Sequence, residues 1–314
     1  MKIALKGLRS AVYDFANGVV GPDRTEGRAV FVTGNGRSGT SWLGDTLGYA
    51  PETIYYREPC HPFMIGVDGD AAEAVWTHLV FEDEGGGGIF EKPLTRAFQG
   101  HLFPQAGYGL TDYVARMRAR PRVVVKDVAS FVSVEWVAKR WNPIVVLIFR
   151  HPAAYAASVA NLEQDEAEVG RFHALWGDRR LRDRFFPEPL PHLDAIATPL
   201  EATVASWSVR TAAVLQMHAR HDDWVAVRYE ELAADPVQNF RALYARLALD
   251  WTPAVEAKVV EKTTKNVSGK FATSRVSSAH IDAWRTKLTP NQVDRVRAVI
   301  DAFSLPIYAG DDAW

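Results

Sequence analysis

The sequence predicts an α/β fold: a three-layer sandwich with a central, mostly parallel sheet of about five strands. Two observations support this fold class. Five short runs are rich in apolar and β-branched residues, and several are apolar throughout, as expected for strands buried on both faces. Helix-compatible stretches separate these runs, and such alternation is typical of a parallel sheet. The predicted strands are Ala29–Thr33, Thr53–Tyr56, Val123–Val125, Ile144–Phe149 and Val225–Arg228.

The predicted helices lie between and after these strands. Two of them begin with a proline, Pro236 and Pro290, at a position where the missing N–H of proline costs no hydrogen bond. Helices that connect neighbouring parallel strands form right-handed crossovers that pack on the sheet. The predicted helices are Thr40–Leu47, Ser133–Arg140, Ala153–Leu162, Glu201–Ala219, Pro236–Leu247 and Pro290–Phe303.

Two longer segments interrupt the alternation of strands and helices. They comprise about residues 60–120 and 165–200, and the first contains the flexible run Gly85–Gly88. Because the sequence shows no internal repeat and no clear linker, we predict a single domain over residues 1–314 with two insertions. Ligands of parallel sheets bind at the carboxyl ends of the strands, so the functional site is expected there.

The composition is that of an ordinary globular protein and excludes several classes. The net charge of −2 gives no electrostatic basis for nucleic-acid binding. The single cysteine, Cys60, excludes an internal disulfide and zinc sites built on several cysteines. No run approaches the ~20 apolar residues of a membrane span, and no signal peptide is apparent, so we predict a cytoplasmic protein. The oligomeric state is not indicated.

The first residues combine basic and apolar side chains. Lys2, Lys6 and Arg9 alternate with residues such as Ile3 and Leu8. This pattern is typical of an amphipathic helix, for which two interpretations stay open. The helix packs on the surface of the domain, or it makes a weak contact with a membrane surface.

The segment after the first predicted strand has the features of an anion-binding loop. Glycines and small hydroxyl residues dominate residues 34–41, and a predicted helix begins at Thr40. Glycines let the backbone approach an anion closely, and the N–H groups of the first helical turn bind it. The segment fits the P-loop pattern G-x-x-x-x-G-K-[ST] except at one position. Thr40 replaces the lysine, and the cation Arg37 stands three residues earlier.

Cations also end two further strands of the predicted sheet. Lys126 follows Val125 and Arg150 follows Phe149, so both are expected near Arg37. A kinase or GTPase needs the P-loop lysine and a magnesium ion on the transferred phosphate. A sulfuryl group carries less charge than a phosphoryl group, so fixed cations and backbone N–H groups can suffice. The pattern therefore favours sulfuryl transfer without metal, and a P-loop kinase of a small alcohol is the alternative enzyme.

Two separated motifs resemble those of the sulfotransferases that use 3′-phosphoadenosine-5′-phosphosulfate (PAPS). This family has a P-loop NTPase-like fold and includes bacterial, carbohydrate and tyrosylprotein sulfotransferases. Gly36–Leu43 resembles the family's loop for the 5′-phosphosulfate. Val145–Pro152, followed by Ser158, resembles the 3′-phosphate motif, in which an arginine ends a strand and a serine lies eight residues later. The resemblance covers about residues 28–300 and implies PAPS as donor, adenosine 3′,5′-bisphosphate (PAP) as product and a hydroxyl acceptor.

The resemblance assigns the chemistry to two residues. Glu58, in the segment Tyr56–Pro59, resembles the family's catalytic base, and His61 is the reserve candidate because the cytosolic branch uses a histidine. Lys126 resembles a lysine that acts on the oxygen bridging phosphorus and sulfur. An ion pair with Arg57 or another basic residue is the alternative role of Glu58. A useful base would need its pKa raised towards neutrality by partial burial.

The resemblance also implies which residues bind the donor. The loop is expected to hold the 5′-phosphosulfate, and Arg150 with Ser158 the 3′-phosphate. Tyr229 is placed close to the donor by its similarity to a Tyr-Glu-Asp/Glu-Leu segment. Lys270 and Arg275 belong to a basic segment that either closes over the nucleotide or is a solvated loop. The implied donor-binding residues are Arg37, Ser38, Gly39, Thr40, Ser41, Arg150, Ser158, Tyr229, Lys270 and Arg275, and no metal ligands are predicted.

The sequence leaves the identity of the acceptor open. The two inserted segments are expected to line its pocket, but they contain no motif that identifies a ligand. A glycan, a lipid or a small natural product is favoured, and a peptide tyrosine stays open. A nucleotide-binding module without catalysis, regulating a partner, is a third hypothesis. The presence of both Glu58 and Lys126 disfavours such a module.

Overall fold

A five-stranded parallel sheet forms the centre of the protein in a computed structural model that describes residues 25–102, 110–159, 162, 164–264, 281–303, 305–308 and 314. The strand order is β2–β3–β1–β4–β5, and every neighbouring pair is parallel. The predicted fold class is confirmed. The strands are β1 (Val30–Thr33), β2 (Thr53–Arg57), β3 (Arg122–Lys126), β4 (Ile144–Phe149) and β5 (Val225–Arg228).

Side chains of the central strand alternate between two cores, because successive residues of a strand point to opposite faces. Phe31 belongs to one core, whereas Val30 and Val32 belong to the other. All three side chains are fully buried. Helices therefore cover both faces of the sheet, and the protein has the three layers that the sequence predicts.

The helices between the strands supply the outer layers. Helices α1, α13 and α14 pack on the face of Val30 and Val32, and the long helix α11 packs on the opposite face. A short 3₁₀ helix, Gly88–Phe90, precedes α4. In chain order the α-helices of the described residues are α1 (Thr40–Leu47), α2 (Pro62–Ile65), α3 (Gly69–Thr77), α4 (Glu91–Phe98), α5 (Leu110–Arg118), α6 (Val134–Trp141), α7 (Pro152–Ala156), α8 (Ala167–Trp176), α9 (Arg179–Phe185), α10 (Pro191–Asp194), α11 (Pro199–His218), α12 (Tyr229–Ala234), α13 (Pro236–Arg246), α14 (Pro253–Thr264), α15 (Trp284–Lys287) and α16 (Pro290–Asp301).

The predicted elements match the observed ones to within about two residues, which is the usual uncertainty of element ends, with one exception. The helix predicted over Ala153–Leu162 ends at Ala156. There the backbone N–H groups of Ser158 and Val159 donate to the carbonyl oxygens three residues earlier, at 2.9 and 3.0 Å. The Ser158 hydroxyl donates to the Tyr155 carbonyl at 2.6 Å. These short-range bonds tighten the chain into a turn, so the α-helix does not continue.

The two inserted segments are helical. The first contains α2 to α5 and the second α8 to α10, and α8 packs against α11. Within the part of the chain that the structure describes, no helix is long and apolar enough to cross a membrane. The basic N-terminal segment lies outside the described residues, so its membrane contact stays a prediction, as does the single domain over residues 1–314.

Candidate active site

Residues 34–41, the anion cradle, connect β1 to α1 and have the strand–loop–helix geometry of an anion-binding site. Arg37 and Gly39 have φ angles of 66° and 90°, in the left-handed region. Gly39 is the N-cap of α1, and its carbonyl accepts the N–H of Leu43 at 3.0 Å. Thr40 and Ser41 form the first turn of the helix. Since the first N–H groups of a helix have no partner inside it, this end supplies donors for an anion.

Two glycines let the cradle pack closely against neighbouring elements. A Cβ atom on Gly34 would collide with the carbonyl oxygen of Ile148 in β4. A Cβ atom on Gly39 would lie 2.6 Å from Cδ2 of Tyr229, closer than real Cβ contacts. Gly34 is therefore needed for space, and Gly39 is needed both for space and for its backbone conformation.

Two small polar residues of the cradle are buried. No hydrogen-bond partner for the fully buried Ser38 hydroxyl lies among the described residues, although an unsatisfied buried hydroxyl is costly. Asn35 was not predicted as a site residue, and its place between Gly34 and Gly36 was its only sequence signal. Its Nδ2 donates to Oγ1 of Thr211 at 3.0 Å and ties the cradle to α11. The cradle thus presents a buried hydroxyl that an anion would satisfy.

Arg150 follows β4 and lies against the cradle. Its Nη1 donates to the carbonyl oxygen of Arg37 at 2.8 Å, and its Cζ lies 4.6 Å from the centre of the Tyr229 ring. Tyr229 begins α12 directly after β5. The aromatic face and the carbonyl hold the guanidinium in one orientation. The structure therefore brings together Arg37, Arg150 and Tyr229, three of the predicted donor-binding residues.

The other predicted ligands of the 3′-phosphate are Ser158, Lys270 and Arg275. Ser158 lies in the turn after α7 rather than in a helix, and its hydroxyl donates to Tyr155. The predicted helical position of Ser158 is therefore wrong, whereas its contact with the 3′-phosphate stays a prediction. Lys270 and Arg275 lie outside the described residues, so their role stays a prediction.

Glu58 and Lys126, the two predicted catalytic residues, are in direct contact. Lys126 ends β3, only 1% of its side chain is exposed, and its Nζ donates to Oε1 of Glu58. Glu58 follows β2 with a left-handed φ of 50°, and its N–H donates to the Lys126 carbonyl at 2.5 Å. Lys126 also pairs in register with Val32 of β1, shortly before the cradle begins. The ion pair and the cradle thus share one edge of the sheet.

The surroundings of the pair set its charges. Burial opposes the charge of Glu58, but the attraction and hydrogen bond of Lys126, helped by Arg57 and His61, outweigh burial and lower the pKa of Glu58. Burial likewise lowers the pKa of Lys126, and the charge of Glu58 counteracts that effect. Glu58 is therefore an ionised carboxylate. The raised pKa that partial burial would give a base is not observed, because Lys126 is too close.

Asp127 fixes the backbone around this pair. Its carboxylate accepts the N–H of Cys60 at 2.9 Å, and the N–H and hydroxyl of Ser130 at 3.0 and 2.8 Å. The Thr33 hydroxyl donates to the Asp127 carbonyl at 2.7 Å. Since these bonds join β1, β3 and the segment after β2, Asp127 positions the edge of the sheet on which Glu58 lies.

His61, the reserve candidate for the base, lies on the same segment as Glu58. The backbone N–H of His61 donates to the Glu58 carbonyl at 3.0 Å, and its ring nitrogen Nδ1 accepts the backbone N–H of Phe63 at 3.1 Å. The imidazole also meets the indole of Trp76 edge to face, with ring centres 5.5 Å apart. Because Nδ1 accepts this hydrogen bond, the neutral imidazole has its hydrogen on Nε2, and a base role of His61 would require the bond to Nδ1 to break.

Fold and site together define a class of protein: a P-loop-like α/β protein whose anion cradle lacks the P-loop lysine and instead lies beside a carboxylate–lysine pair. Within that class the chain belongs to the Sulfotransferase family, whose sequence profile matches residues 29–253. The match extends from just before β1 to the start of α14, so it includes the cradle, Glu58, Lys126 and Arg150. The predicted family is confirmed.

Curated relatives match only part of the chain. Carbohydrate sulfotransferase 1 of Danio rerio is 33% identical over 84 residues, which cover 24% of this chain and 19% of the relative. Carbohydrate sulfotransferase 2 of Homo sapiens is 31% identical over 93 residues, which cover 27% of this chain and 18% of the relative. The matched regions thus span less than a fifth of these relatives' length.

Solved structures of sulfotransferases are similar over most of the chain at low sequence identity. The sulfotransferase domain from the curacin biosynthetic pathway is 15% identical, with 88% of this chain and 98% of that chain covered and a TM-score of 0.47. A mouse sulfotransferase, SULT7A1, complexed with PAP is also 15% identical. The similarity covers 93% of this chain and 90% of that chain, with a TM-score of 0.44.

Proposed function

We propose that this protein transfers the sulfuryl group of PAPS to a hydroxyl acceptor, a reaction of the EC 2.8.2 type, and releases PAP. The contact between Glu58 and buried Lys126, beside the anion cradle, carries this proposal. Transfer to a hydroxyl needs a base for the proton and a cation for the charge that develops on the leaving group. Family membership favours this reaction over a kinase or a nucleotide-binding module without catalysis.

Two parts of the site match the two ends of the donor. Arg150 offers a planar fork to the 3′-phosphate and is held beside Tyr229. Ser158, Lys270 and Arg275 are proposed to support the same phosphate. The buried Ser38 hydroxyl and the N–H groups at the start of α1 fit the 5′-phosphosulfate. The residues assigned to that end are Arg37, Ser38, Gly39, Thr40 and Ser41.

The proposed reaction is a single in-line displacement. The acceptor oxygen forms a bond to sulfur while the bond from sulfur to the bridging oxygen breaks. The acceptor proton passes to Glu58, which is already ionised. The electron pair of the broken bond stays on the 5′-phosphate oxygen of PAP, where Lys126 stabilises it. As Lys126 turns towards that oxygen, Glu58 loses its counter-charge and becomes a stronger base.

Fixed cations are proposed to replace a metal ion in this reaction. Lys126, Arg37 and Arg150 lie at one edge of the sheet and can neutralise the charge of the donor. In residues 25–102 and the other described ranges, no group of three or more His, Cys, Asp or Glu side chains is arranged to hold a metal ion.

The acceptor is proposed to be a glycan, a lipid or a small natural product with a hydroxyl group. Matched relatives are carbohydrate sulfotransferases by name, which makes a sugar hydroxyl the first to test. The first inserted segment brings aromatic side chains close to Glu58. Phe63 is 65% exposed, and Trp76 contacts the ring of His61. Such side chains offer the apolar faces on which sugar or aromatic rings stack.

A labelled sulfuryl group tests the function directly. The protein is incubated with PAPS labelled with radioactive sulfur and with extracts of the source organism, and products are identified by mass. We expect labelled product and PAP in equal amounts. Phosphate transfer from labelled ATP in the presence of magnesium would support the kinase alternative. PAP binding without labelled product would support the nucleotide-binding module.

Calorimetric titration of Arg150→Ala with PAP and with adenosine 5′-phosphate tests the donor assignment. We expect this variant to bind PAP about 100-fold more weakly, because charge-assisted hydrogen bonds contribute roughly 1.5–3 kcal/mol. Its affinity for adenosine 5′-phosphate is expected to change less than about twofold. Arg150→Lys, which keeps the charge, should lose less. Equal losses for both nucleotides would contradict a 3′-phosphate site at Arg150.

Replacing Gly39 with alanine is expected to weaken PAP binding at least about tenfold and to lower the unfolding free energy by about 1–3 kcal/mol. The added Cβ collides with Tyr229, and alanine disfavours the left-handed φ of 90°. Calorimetric titration and denaturant unfolding measure the two effects. Gly36→Ala is the matched control, since its Cβ would meet no atom within 4 Å. Equal behaviour of the two variants would refute the role of the cradle's shape.

A further inference from the structure

Arg210 is a partly buried cation that the proposed chemistry does not use. It lies in α11, and its Nη2 donates to the carbonyl of Trp76 in α3 at 3.0 Å. None of the ion pairs among the described residues includes Arg210. The acidic residue whose charge acts on it, Glu168, is bonded to Arg171 at 2.6 Å. Burial therefore lowers the pKa of Arg210 without a carboxylate in contact to offset it.

Arg210 and its chain neighbour Thr211 have contacts that lead to the segment near Glu58 and to the cradle. Thr211 accepts the hydrogen bond from Asn35 of the cradle. On the other side Trp76, the partner of Arg210, contacts His61, whose N–H donates to the Glu58 carbonyl. Helix α11 thus contacts the cradle through Thr211 and the residues next to the proposed base through Arg210 and Trp76.

The charge of Arg210 also acts on Tyr155 of α7. Burial raises the pKa of the Tyr155 hydroxyl, and the charges of both Arg210 and Arg37 oppose that rise. Two cations therefore act on this part of the protein, and such surroundings favour an anionic ligand.

We propose that Arg210 binds an anionic group of the acceptor, so that the substrates are hydroxyl compounds that also carry a carboxylate or a phosphate. This inference rests on the proposed function, because it assigns the acceptor of that reaction. A guanidinium has five N–H donors, of which the described hydrogen bond uses one. An acceptor anion would supply a counter-charge and offset the cost of partly burying the cation.

Three sugars with the same ring structure test the proposal. Glucose, glucuronate and glucose 6-phosphate differ in the group at one carbon, which is neutral, a carboxylate or a phosphate. Their binding to the protein saturated with PAP is measured by calorimetry, and their sulfation with labelled PAPS. We expect at least one charged sugar to be preferred over glucose about tenfold or more, as for a charge-assisted hydrogen bond. The better of the two charged sugars identifies the anionic group.

Variants then assign the preference to Arg210. Arg210→Gln should reduce the preference for the charged sugar over glucose to a ratio of about one, and Arg210→Lys should keep part of that preference. Both variants should bind PAP within about twofold of the original protein. Arg179→Gln, at an exposed arginine of α9, is the matched control and should keep the full preference. The proposal is overturned if neither charged sugar is preferred, or if Arg210→Gln keeps the preference. Failure to bind PAP would instead overturn the proposed function.

Discussion

Glu58→Gln is expected to lower kcat by about 10²–10⁴-fold, the usual contribution of a positioned base, and to leave PAP affinity within about twofold. Glutamine has the shape of glutamate, and its amide oxygen still accepts the hydrogen bond from Lys126. It cannot take the acceptor proton, so the loss falls on the chemical step rather than on donor binding. Single-turnover rates with labelled PAPS and calorimetric PAP titration separate the two effects.

His61→Asn is the matched control for this variant. Asparagine can still accept the N–H of Phe63 at the start of α2, so the segment that carries Glu58 keeps its conformation. We expect this variant to retain most of its turnover. Full activity in Glu58→Gln would rule out Glu58 as the base, and loss in His61→Asn alone would transfer the role to His61.

The pH dependence of turnover follows from the lowered pKa of Glu58. The ionised carboxylate is the base, so activity is full above its pKa and is lost as the pH falls through it. For kcat/KM of the donor, which reports the ligand-free protein, we expect this acid limb at or below the ordinary glutamate value of about 4.3. The limb should be missing from the residual activity of Glu58→Gln. An acid limb near neutral pH would show that Lys126 does not hold Glu58 ionised.

The fold was predictable because burial on both faces leaves a strong pattern in the sequence. The strands β4 and β5 were predicted with their observed bounds. The prediction for β3 omitted its first and last residues, Arg122 and Lys126, because their side chains are charged. Their backbones nevertheless continue the pairing with β2. The helix around Ser158 was predicted too long, since an alanine-rich sequence favours helix whereas local hydrogen bonds end it.

The site was predictable only where the chemistry lies in consecutive residues or at strand ends. The cradle and the presence of Glu58 and Lys126 at neighbouring strand ends could be anticipated. Their direct contact could not, because it depends on the left-handed backbone of Glu58 and on the burial of Lys126. Asn35 and Arg210 gain their roles from contacts with residues more than 130 positions away. Such contacts leave no local signal in a single sequence.

Lys126→Met is expected to lower kcat by about 10²–10³-fold, the cost of removing one preorganised group that stabilises developing charge. Methionine has a similar length and suits the buried site, so the fold should persist. Glu58 loses its counter-charge, and burial then raises its pKa. The acid limb should therefore move towards neutral pH, the opposite of its position in the original protein.

That shift separates two roles that Lys126 could have. If Lys126 served only to keep Glu58 ionised, raising the pH well above the new pKa of Glu58 would restore turnover in Lys126→Met. If Lys126 stabilises the leaving oxygen, the rate stays low at every pH, because deprotonating Glu58 puts no cation beside PAP. We expect the second result. The double variant Lys126→Met/Glu58→Gln should then be only slightly slower than either single variant, since residues that act in one step are not additive.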